Sequence, residues 1–316
     1  MKQQFVDTLE EGDYVSDYFI AARKDLRDLH SGGKFLGMVF KDRTGEIGGV
    51  LWQNAPAVAK LFEVGDVVRV RGTVNTYQDR LQIRVDQVLP LRESEYDLAD
   101  LALALDNAED LYQALTRILG QVEDPWLRKL VDAFLEDEAF VEQFKAAAAG
   151  KKWHHAYRGG LLEHCHEMAR CAETMCELFS GINRDLLLTA VLVHDIGKLE
   201  EMSHGAHVDY TSAGKLLGHL AIGMDMVQRR IDALEGFPEN LRLQLLHCVL
   251  AHHGELQTGS PVLPKTLEAL VLYHCDNMSA QTNAFNRVVA ETKDRERVWS
   301  DYIGMIGRQI WTRDED

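Results

Sequence analysis

The chain has 316 residues, of which 46% are hydrophobic, and this length favours about two domains with cores of their own. No apolar run reaches the ~20 residues of a membrane helix, and the N-terminal residues lack a signal-peptide core, so we expect a cytoplasmic protein without a membrane partner. A net charge of −16 argues against a protein that coats nucleic acid by bulk electrostatics.

Residues 1–92 predict a small β-barrel. Apolar and alternating runs predict five strands, with a short helix between the third and the fourth. In chain order the segments are Tyr18–Arg23, Phe35–Phe40, Glu46–Trp52, the helix Asn54–Phe62, Val67–Tyr77 and Leu81–Leu89. This is the order of an OB-fold, whose open face commonly binds oligonucleotides. The region holds 13 Lys/Arg and 13 Asp/Glu, so the acidic excess of the chain lies elsewhere.

Cationic and aromatic side chains on the predicted strands suit single-stranded nucleic acid, because arginine binds phosphates and aromatic rings stack on bases. The candidates are Phe35, Trp52, Arg69, Arg71, Tyr77 and Arg84. For the aromatic residues, and for Phe35 above all, a place in the barrel core is the competing interpretation. In the third strand, Gly48 and Gly49 predict a bulge or a close backbone approach.

Two motifs of this region, Phe35-Leu36-Gly37 and Asp42–Ile47, resemble the OB-folds of anticodon-binding and related nucleic-acid-binding proteins. The resemblance implies an OB-fold domain over residues 1–92 that binds single-stranded nucleic acid. Small barrels of this kind also serve as structural or protein-binding modules, so the binding role is an expectation.

Residues 93–150 predict helices with an acidic surface, since they hold 4 Lys/Arg against 14 Asp/Glu. Apolar spacing of three and four residues predicts helices over Tyr96–Gly120, Trp126–Phe134 and Phe140–Phe144. We interpret this part as a linker or extension packed on the domain that follows, and its amphipathic helices leave a homo-oligomer open. No strand pattern occurs from here to the end, so the second domain, residues 151–316, is predicted to be all-α.

Histidines and aspartates recur on separate apolar segments of that second domain. The candidate ligands are His164, His194, Asp195, His219, His252, His253 and Asp276. Buried imidazoles and carboxylates need partners or a metal, and together they suit divalent cations. His194 and Asp195 are consecutive and diverge by about 100° around a helix, so both can reach one cavity only if the helix end lies against it. Gly197 would allow that close packing.

His164, the pair His194-Asp195, and Asp276 match the H…HD…D pattern of the HD superfamily of metal-dependent phosphohydrolases. The resemblance implies two ions bridged by Asp195. It places His164, His194 and Asp276 on one ion, and His219 with His252 or His253 on the other. Members with a third ion carry a carboxylate where this chain has Gly160, so a third ion is not expected.

Longer motifs narrow the resemblance from the HD superfamily to one family within it. They are Trp153–His164, Tyr210–His219, His252-His253-Gly254-Glu255 and Asp276-Asn277-Met278. With the OB-fold they are similar to the YhaM-type 3′–5′ exoribonuclease family, which implies hydrolysis of single-stranded RNA, or also single-stranded DNA, by a metal-bound hydroxide. Mn²⁺ is the first choice of ion, while Co, Fe, Ni or Zn also suit mixed His/Asp ligation.

The same resemblance suggests further roles near the ligands. Lys198 would contact the scissile phosphate, although a solvated lysine at a helix end is an equal interpretation. His155, Tyr157 and Arg158 would hold the terminal nucleotide, with ordinary loop packing as the competing explanation.

Two other functions fit parts of the sequence. The first is an HD phosphohydrolase acting on nucleotides or cyclic dinucleotides. The cyclic-dinucleotide type carries Gly-Tyr-Pro after the histidine pair, where this chain has Gly254-Glu255-Leu256-Gln257. The second is a non-enzymatic adaptor with an OB-fold and a structural metal, but a structural site is saturated by its protein ligands.

Overall fold

The computed structural model describes residues 2–29, 32–151, 153–203, 208–293, 298–304 and 306–312. The chain divides into two compact units. The first is formed mainly by Met1–Ala104, and the second by Leu105–Met202 and Tyr210–Asp316. We refer to them as the barrel unit and the helical unit.

The barrel unit is a closed five-stranded β-barrel. Its elements are β1 (Tyr14–Asp28), β2 (Lys34–Asp42), β3 (Gly45–Leu51), α1 (Ala55–Val58), β4 (Val67–Tyr77) and β5 (Arg80–Pro90). The strand order is β1-β2-β3-β5-β4, in which β3 and β5 pair in parallel and the other neighbours are antiparallel. The predicted OB-fold order, with a short helix between the third and fourth strands, is confirmed.

Successive side chains of β4 alternate between the barrel core and the outer surface. Val68 and Val70 are buried in the core, whereas Arg69 and Arg71 are exposed, as the period of two residues predicts. The register of β4 with β5 shifts between Arg71 and Gly72. A Cβ atom on Gly72 would lie 2.3 Å from the carbonyl oxygen of Arg84, so this irregular point requires glycine.

The bulge predicted in β3 is absent, because β2 and β3 pair without a register shift. Gly49 instead makes room for the ring of Phe40, whose Cε2 would lie 2.4 Å from a Cβ atom at this position. The glycine pattern therefore marked a close approach, but the approaching group is a side chain of the barrel core.

The first strand is longer than the predicted Tyr18–Arg23. Beyond a register shift between Ala21 and Arg23, it continues to pair with β2 as far as Asp28. Both faces of this extension carry polar side chains, so it lacks the hydrophobic alternation from which strands are predicted. The helix α1 is shorter than predicted because only Ala55–Val58 are helical.

The helical unit contains no strand in the parts that the structure describes. Its helices are α2 (Ala108–Leu119), α3 (Pro125–Leu135), α4 (Glu138–Ala146), α5 (Gly160–Leu178), α6 (Arg184–Val193), α7 (Lys198–Glu201), α8 (Ser212–Asp232), α9 (Glu239–Ala251) and α10 (Leu267–Lys293). The prediction of an all-helical second part is confirmed. None of the helices described has the length and apolar composition needed to cross a bilayer.

The central helix is α6, on which every residue from Leu186 to Val193 is buried. The side chain of Asn183 caps its start by accepting a hydrogen bond from the Leu186 backbone N–H. Its neighbours α3, α5, α9 and α10 pack around it. Helix α6 ends at Val193. The next two residues, His194 and Asp195, are buried in the interior of the unit.

Candidate functional site

The turn after α6 is packed directly against the backbone of α8. A Cβ atom on Gly197 would lie 2.0 Å from the carbonyl oxygen of His219 and 2.6 Å from the backbone nitrogen of Gly223. No side chain fits in that space, which agrees with the close packing expected at this glycine. The contact brings His194 and Asp195, both buried, next to the residue His219.

The carboxylate of Asp195 lies between two sets of histidines. Its Oδ2 is 3.4 Å from Nε2 of His194 and 4.0 Å from Nε2 of His164. Its Oδ1 is 3.5 Å from Nε2 of His219 and 3.4 Å from Nε2 of His252. Each oxygen of one carboxylate therefore faces a different group of ring nitrogens.

All seven predicted metal ligands come together in this part of the helical unit. Within each group that could hold an ion, the ligand atoms lie within 4.8 Å of one another. The groups are His164-His194-Asp276, His219-His252-His253 and His194-Asp195-His252, with His154-His155-His164 beside them. His252 and His253 both belong to the group of His219, so the geometry does not exclude either of the two that the sequence left open.

Each of the five candidate histidines uses Nδ1 for a hydrogen bond and turns Nε2 toward the centre. The partners of Nδ1 are Ser279 Oγ for His164 (2.8 Å), Val191 O for His194 (2.9 Å), Glu201 Oε1 for His219 (3.1 Å), Val249 O for His252 (2.8 Å) and Thr258 O for His253 (3.0 Å). Metal-ligating histidines are typically held in this way through the nitrogen that faces away from the ion.

Several of the central atoms lack a hydrogen-bond partner among the residues that the structure describes. Nε2 of His164, Nε2 of His194 and Oδ1 of Asp195 are buried and make no well-formed hydrogen bond. Buried polar atoms without partners are rare and call for an explanation. A donor set of imidazole nitrogens and carboxylate oxygens is one that divalent transition metals accept, so these residues fit a metal centre.

Electrostatics keep the central carboxylate ionised. Burial works to raise the pKa of Asp195, but the positive charges of Lys198 and His194 outweigh it and hold the pKa well below its ordinary value. Nζ of Lys198 is 2.5 Å from Oδ2 of Asp195, and the lysine is only 8% exposed. The pKa of Lys198 is raised although burial opposes this, because the Asp195 charge favours the ammonium form.

Two of the predicted nucleotide contacts lie beside the start of α5. His155 is completely buried and has φ of 45°, with its ring centroid 5.3 Å from that of His164. The hydroxyl of Tyr157 donates a hydrogen bond to Glu163 and accepts one from Nδ2 of Asn283. His155 has no exposed surface for a nucleotide, whereas Tyr157 is half-buried and Arg158 is exposed.

Some residues of the site were not among the sequence candidates. His154 lies in the group with His155 and His164, and its position next to His155 in the sequence was the available signal. Glu201 accepts hydrogen bonds from both the ring and the backbone nitrogen of His219. Nothing in the sequence pattern distinguishes Glu201 from the acidic residues of solvated helix faces.

The barrel unit has a groove lined by residues of all five strands, with a volume of ≈ 440 Å³. Phe35 and Trp52 form one wall, stacked with ring centroids 5.1 Å apart. Tyr77 and Arg84 also line it. Trp52 and Tyr77 are 52% and 60% exposed, so their rings are available to a ligand, and Phe35 belongs to the groove wall rather than to the core.

Two arginines of the groove were missed by the sequence prediction and two predicted ones lie elsewhere. Arg23 and Arg27 line the groove from β1. Arg23 ends the predicted first strand but was not among the candidates, and Arg27 lies beyond that strand. Arg69 and Arg71 are exposed on β4 but do not line it. The alternation of β4 correctly predicted their exposure. Exposure alone does not say whether a residue lies at the groove or elsewhere on the outer surface of the barrel.

Comparison with known families agrees with this architecture. A sequence model of the HD domain matches residues 161–281, which include all seven candidate ligands. The helical unit thus includes a region that matches the HD domain, and the clustered residues that could hold a metal lie within that region.

A second model, that of an OB-fold nucleic acid binding domain, matches residues 20–91, which cover most of the barrel.

Similar solved structures include the p204 HINb domain (19% identity, TM-score 0.24), for which the match covers 28% of this chain and 47% of the other. The second OB-fold domain of replication protein A from Methanococcus maripaludis is 23% identical with a TM-score of 0.24, covering 29% of this chain and 97% of the other. A replication protein A heterotrimer bound to ssDNA is 21% identical with a TM-score of 0.23, and the match covers 29% of this chain and 66% of the other. The chain thus spans about half the length of the p204 chain.

Proposed function

We propose that the protein is a metal-dependent 3′–5′ exoribonuclease that hydrolyses single-stranded RNA, with single-stranded DNA as a second substrate. The observation that carries the proposal is the carboxylate of Asp195, whose two oxygens face two sets of histidines. The same chain carries a groove with aromatic rings and arginines, a combination that suits a single strand of bases and phosphates.

We assign the ligands in two sets that share Asp195. His164, His194 and Asp276 form one set, and His219, His252 and His253 form the other. Two divalent ions, with Mn²⁺ as the first choice, would occupy these sets. When bound, such ions supply positive charge for phosphoryl oxygens and lower the pKa of water, so no side-chain nucleophile is required.

The remaining residues bind and orient the substrate in this proposal. Lys198 provides a buried positive charge beside Asp195 that suits a phosphate at the centre. Tyr157 and Arg158 are placed to contact the terminal nucleotide, while the buried His155 supports them. In the barrel unit, the aromatic rings of the groove stack on bases and its arginines pair with phosphates, as in other grooves that bind single strands.

The two competing functions account for less of the structure. A phosphohydrolase of free nucleotides has no use for a groove lined by exposed aromatic rings in a separate unit. A purely structural metal site would be enclosed and saturated, whereas the side chains of His219 and Asp276 keep 14% and 15% of their surface exposed. Access from solvent is what a substrate requires.

The test is hydrolysis of a 5′-labelled single-stranded RNA with added Mn²⁺ by the wild type and by Asp195→Ala. We expect a ladder that shortens from the 3′ end with the wild type and no ladder with the variant. The matched control is Asp225→Ala, which removes an exposed aspartate paired with Arg229 on α8 and should cleave like the wild type. Fluorescence anisotropy should show equal RNA binding by all three proteins.

Two outcomes would contradict the proposal. Release of phosphate from nucleotides without shortening of RNA would assign the protein to the nucleotide phosphohydrolases. Cleavage within the RNA, rather than from its 3′ end, would keep the phosphodiesterase chemistry but exclude the exonuclease.

A further inference from the structure

A chain of hydrogen bonds connects the surface of α5 to the buried His164. Oγ of Ser279 is 2.6 Å from Oε2 of Glu167 and 2.8 Å from Nδ1 of His164. Glu167 follows His164 on α5, and Ser279 lies on α10, which also carries Asp276. Two helices therefore contribute to one short path that ends at a candidate ligand.

The proton of the Ser279 hydroxyl determines the direction of this path. A carboxylate that is ionised at neutral pH only accepts hydrogen bonds, so the single hydroxyl proton of Ser279 must point to Glu167. The oxygen of Ser279 then has only lone pairs for His164, and Nδ1 of His164 has to be the donor. In a neutral imidazole this leaves Nε2 without a proton.

The surroundings of Nε2 agree with this tautomer. Oδ1 of Asp276 is 3.1 Å from Nε2 of His164, yet Nε2 makes no well-formed hydrogen bond to it or to any other described residue. The lone pair of Nε2 and the negative charge of the carboxylate repel each other. A cation bound by both atoms would remove this repulsion, and both atoms must be free of a proton to bind it.

We propose that Glu167 is a positioning residue, which acts through Ser279 to hold His164 as the Nδ1–H tautomer with the Nε2 lone pair directed to the metal centre. The inference rests on the proposed function only in taking His164 as a metal ligand. Glu167 makes no hydrogen bond to the seven candidate ligands among the described residues. It lies against the buried ring of His155, and its effect on His164 passes through the hydroxyl of Ser279.

The buried His155 lies next to Glu167. Oε2 of Glu167 is 3.3 Å from Nε2 of His155, although that ring nitrogen makes no well-formed hydrogen bond, and the backbone nitrogen of His155 donates to Oδ1 of Asn283 on α10. The carbonyl oxygen of His155 also comes so near to Gly160 that a Cβ atom there would lie 2.0 Å from it. The loop before α5 and the helix α10 thus both lie against the carboxylate, which Ser279 holds by its hydrogen bond.

The experiment compares Glu167→Gln and Ser279→Ala with the control Glu163→Gln in the full-length chain. Glu163 lies one turn earlier on α5, and its carboxylate is 4.0 Å from Nε2 of His155, but it has no hydrogen bond to Ser279. The control thus removes the same charge beside the same histidine. Circular dichroism verifies that each variant is folded. If Glu167→Gln does not fold, the result for Ser279→Ala tests the proposal.

The first readout is nitrogen-15 NMR of the His164 ring in the metal-free chain at neutral pH. We expect the Nδ1–H tautomer in the wild type and in Glu163→Gln. In Glu167→Gln the amide can donate to Ser279, which frees the hydroxyl proton for His164, so the Nε2–H tautomer should appear. The Nε2–H tautomer in the wild type would overturn the proposal, as would an unchanged tautomer in both test variants.

The second readout is the affinity for Mn²⁺ measured by calorimetry. Loss of a partner that orients a metal-bound histidine weakens the metal by ~10–100-fold, which we expect for Glu167→Gln and Ser279→Ala, whereas Glu163→Gln should stay within about twofold of the wild type. Equal affinities in all variants would overturn the proposal. If the wild type bound no Mn²⁺, the proposed function would fail, while the tautomer would still decide this inference.

Discussion

Nε2 of His219 and Nε2 of His253 lie 3.1 Å apart. Nδ1 of His219 is hydrogen-bonded to the carboxylate of Glu201, and Nδ1 of His253 to the carbonyl oxygen of Thr258, and both partners are acceptors. Each neutral ring therefore has its proton on Nδ1 and a lone pair on Nε2. Two lone pairs at this distance repel each other, so the pair fits the second ion of the proposed centre, which both nitrogens would bind.

Metal stoichiometry should follow from this pair. We expect the wild type to bind two Mn²⁺ ions and His253→Ala to bind one, because His164, His194 and Asp276 do not depend on His253. Inductively coupled plasma mass spectrometry after dialysis measures the ratio. His247→Ala is the control, since His247 lies outside the groups of candidate ligands and should leave two ions bound. A ratio of two in His253→Ala would contradict the assignment.

Acid should destabilise the metal-free chain partly through His253. Burial, together with the positive charges of His252 and His219, lowers the pKa of His253 to about 4. An unfolded histidine has a pKa of about 6.5, so between these values the unfolded chain binds a proton that the folded chain does not, and the free energy of unfolding falls as the pH decreases, by up to about 3 kcal/mol. Above this pH range, the contribution of His253 to the free energy of unfolding is constant.

Urea unfolding in the presence of a chelator, at several pH values across the window, tests this dependence. His253→Gln should unfold with a weaker pH dependence than the wild type. His274→Gln replaces an exposed histidine and should follow the wild type. The same slope for all three proteins would show that His253 does not contribute.

The arginines of the groove should differ from those of β4 in their effect on RNA binding. Arg84 lines the groove and Arg69 does not, although both are exposed on neighbouring strands. If Arg84 pairs with a phosphate, Arg84→Ala should weaken RNA binding and lower the slope of log affinity against log salt by about 1. Arg69→Ala is the control and should change neither; equal slopes for the two variants would argue against the groove as the binding site.

The exposed rings of the groove should contribute to RNA binding by stacking. Trp52→Ala and Tyr77→Ala should each weaken the binding of single-stranded RNA by ~1–3 kcal/mol, the usual value for a ring that stacks on a base. Tyr14 is a matched control, because it lies on β1, is 58% exposed and does not line the groove. Fluorescence anisotropy measures the affinities, and a loss for Tyr14→Ala as large as that for Tyr77→Ala would contradict the interpretation.

The fold was predictable where hydrophobic periodicity and turns coincide. The alternation of Val68 and Val70 with Arg69 and Arg71 predicts β4, and the apolar run before His194 predicts α6. The end of β1 was not predictable, since its last residues are polar on both faces and are held by pairing with β2. The same limit concealed Arg27, whose place in the groove depends on that pairing.

For the site, residue types and spacing led to the candidate ligands, because histidines and aspartates on apolar helices need an explanation. Their supporting partners were not predictable. Glu167, Glu201 and Ser279 are polar residues on helices, like many that face solvent. Only the three-dimensional packing shows that Glu201 and Ser279 contact the rings of His219 and His164.

The contact between Gly197 and the backbone of α8 has a consequence for the spacing of the ions. Since a Cβ atom at Gly197 would lie 2.0 Å from the carbonyl oxygen of His219, main-chain atoms set the separation between Asp195 and His219. Substituting a ligand would then change how tightly an ion is held but not where it sits. In the proposed centre, the interval between the two ions would thereby be a property of the backbone, and a chain with alanine at 197 would alter that interval while keeping every ligand.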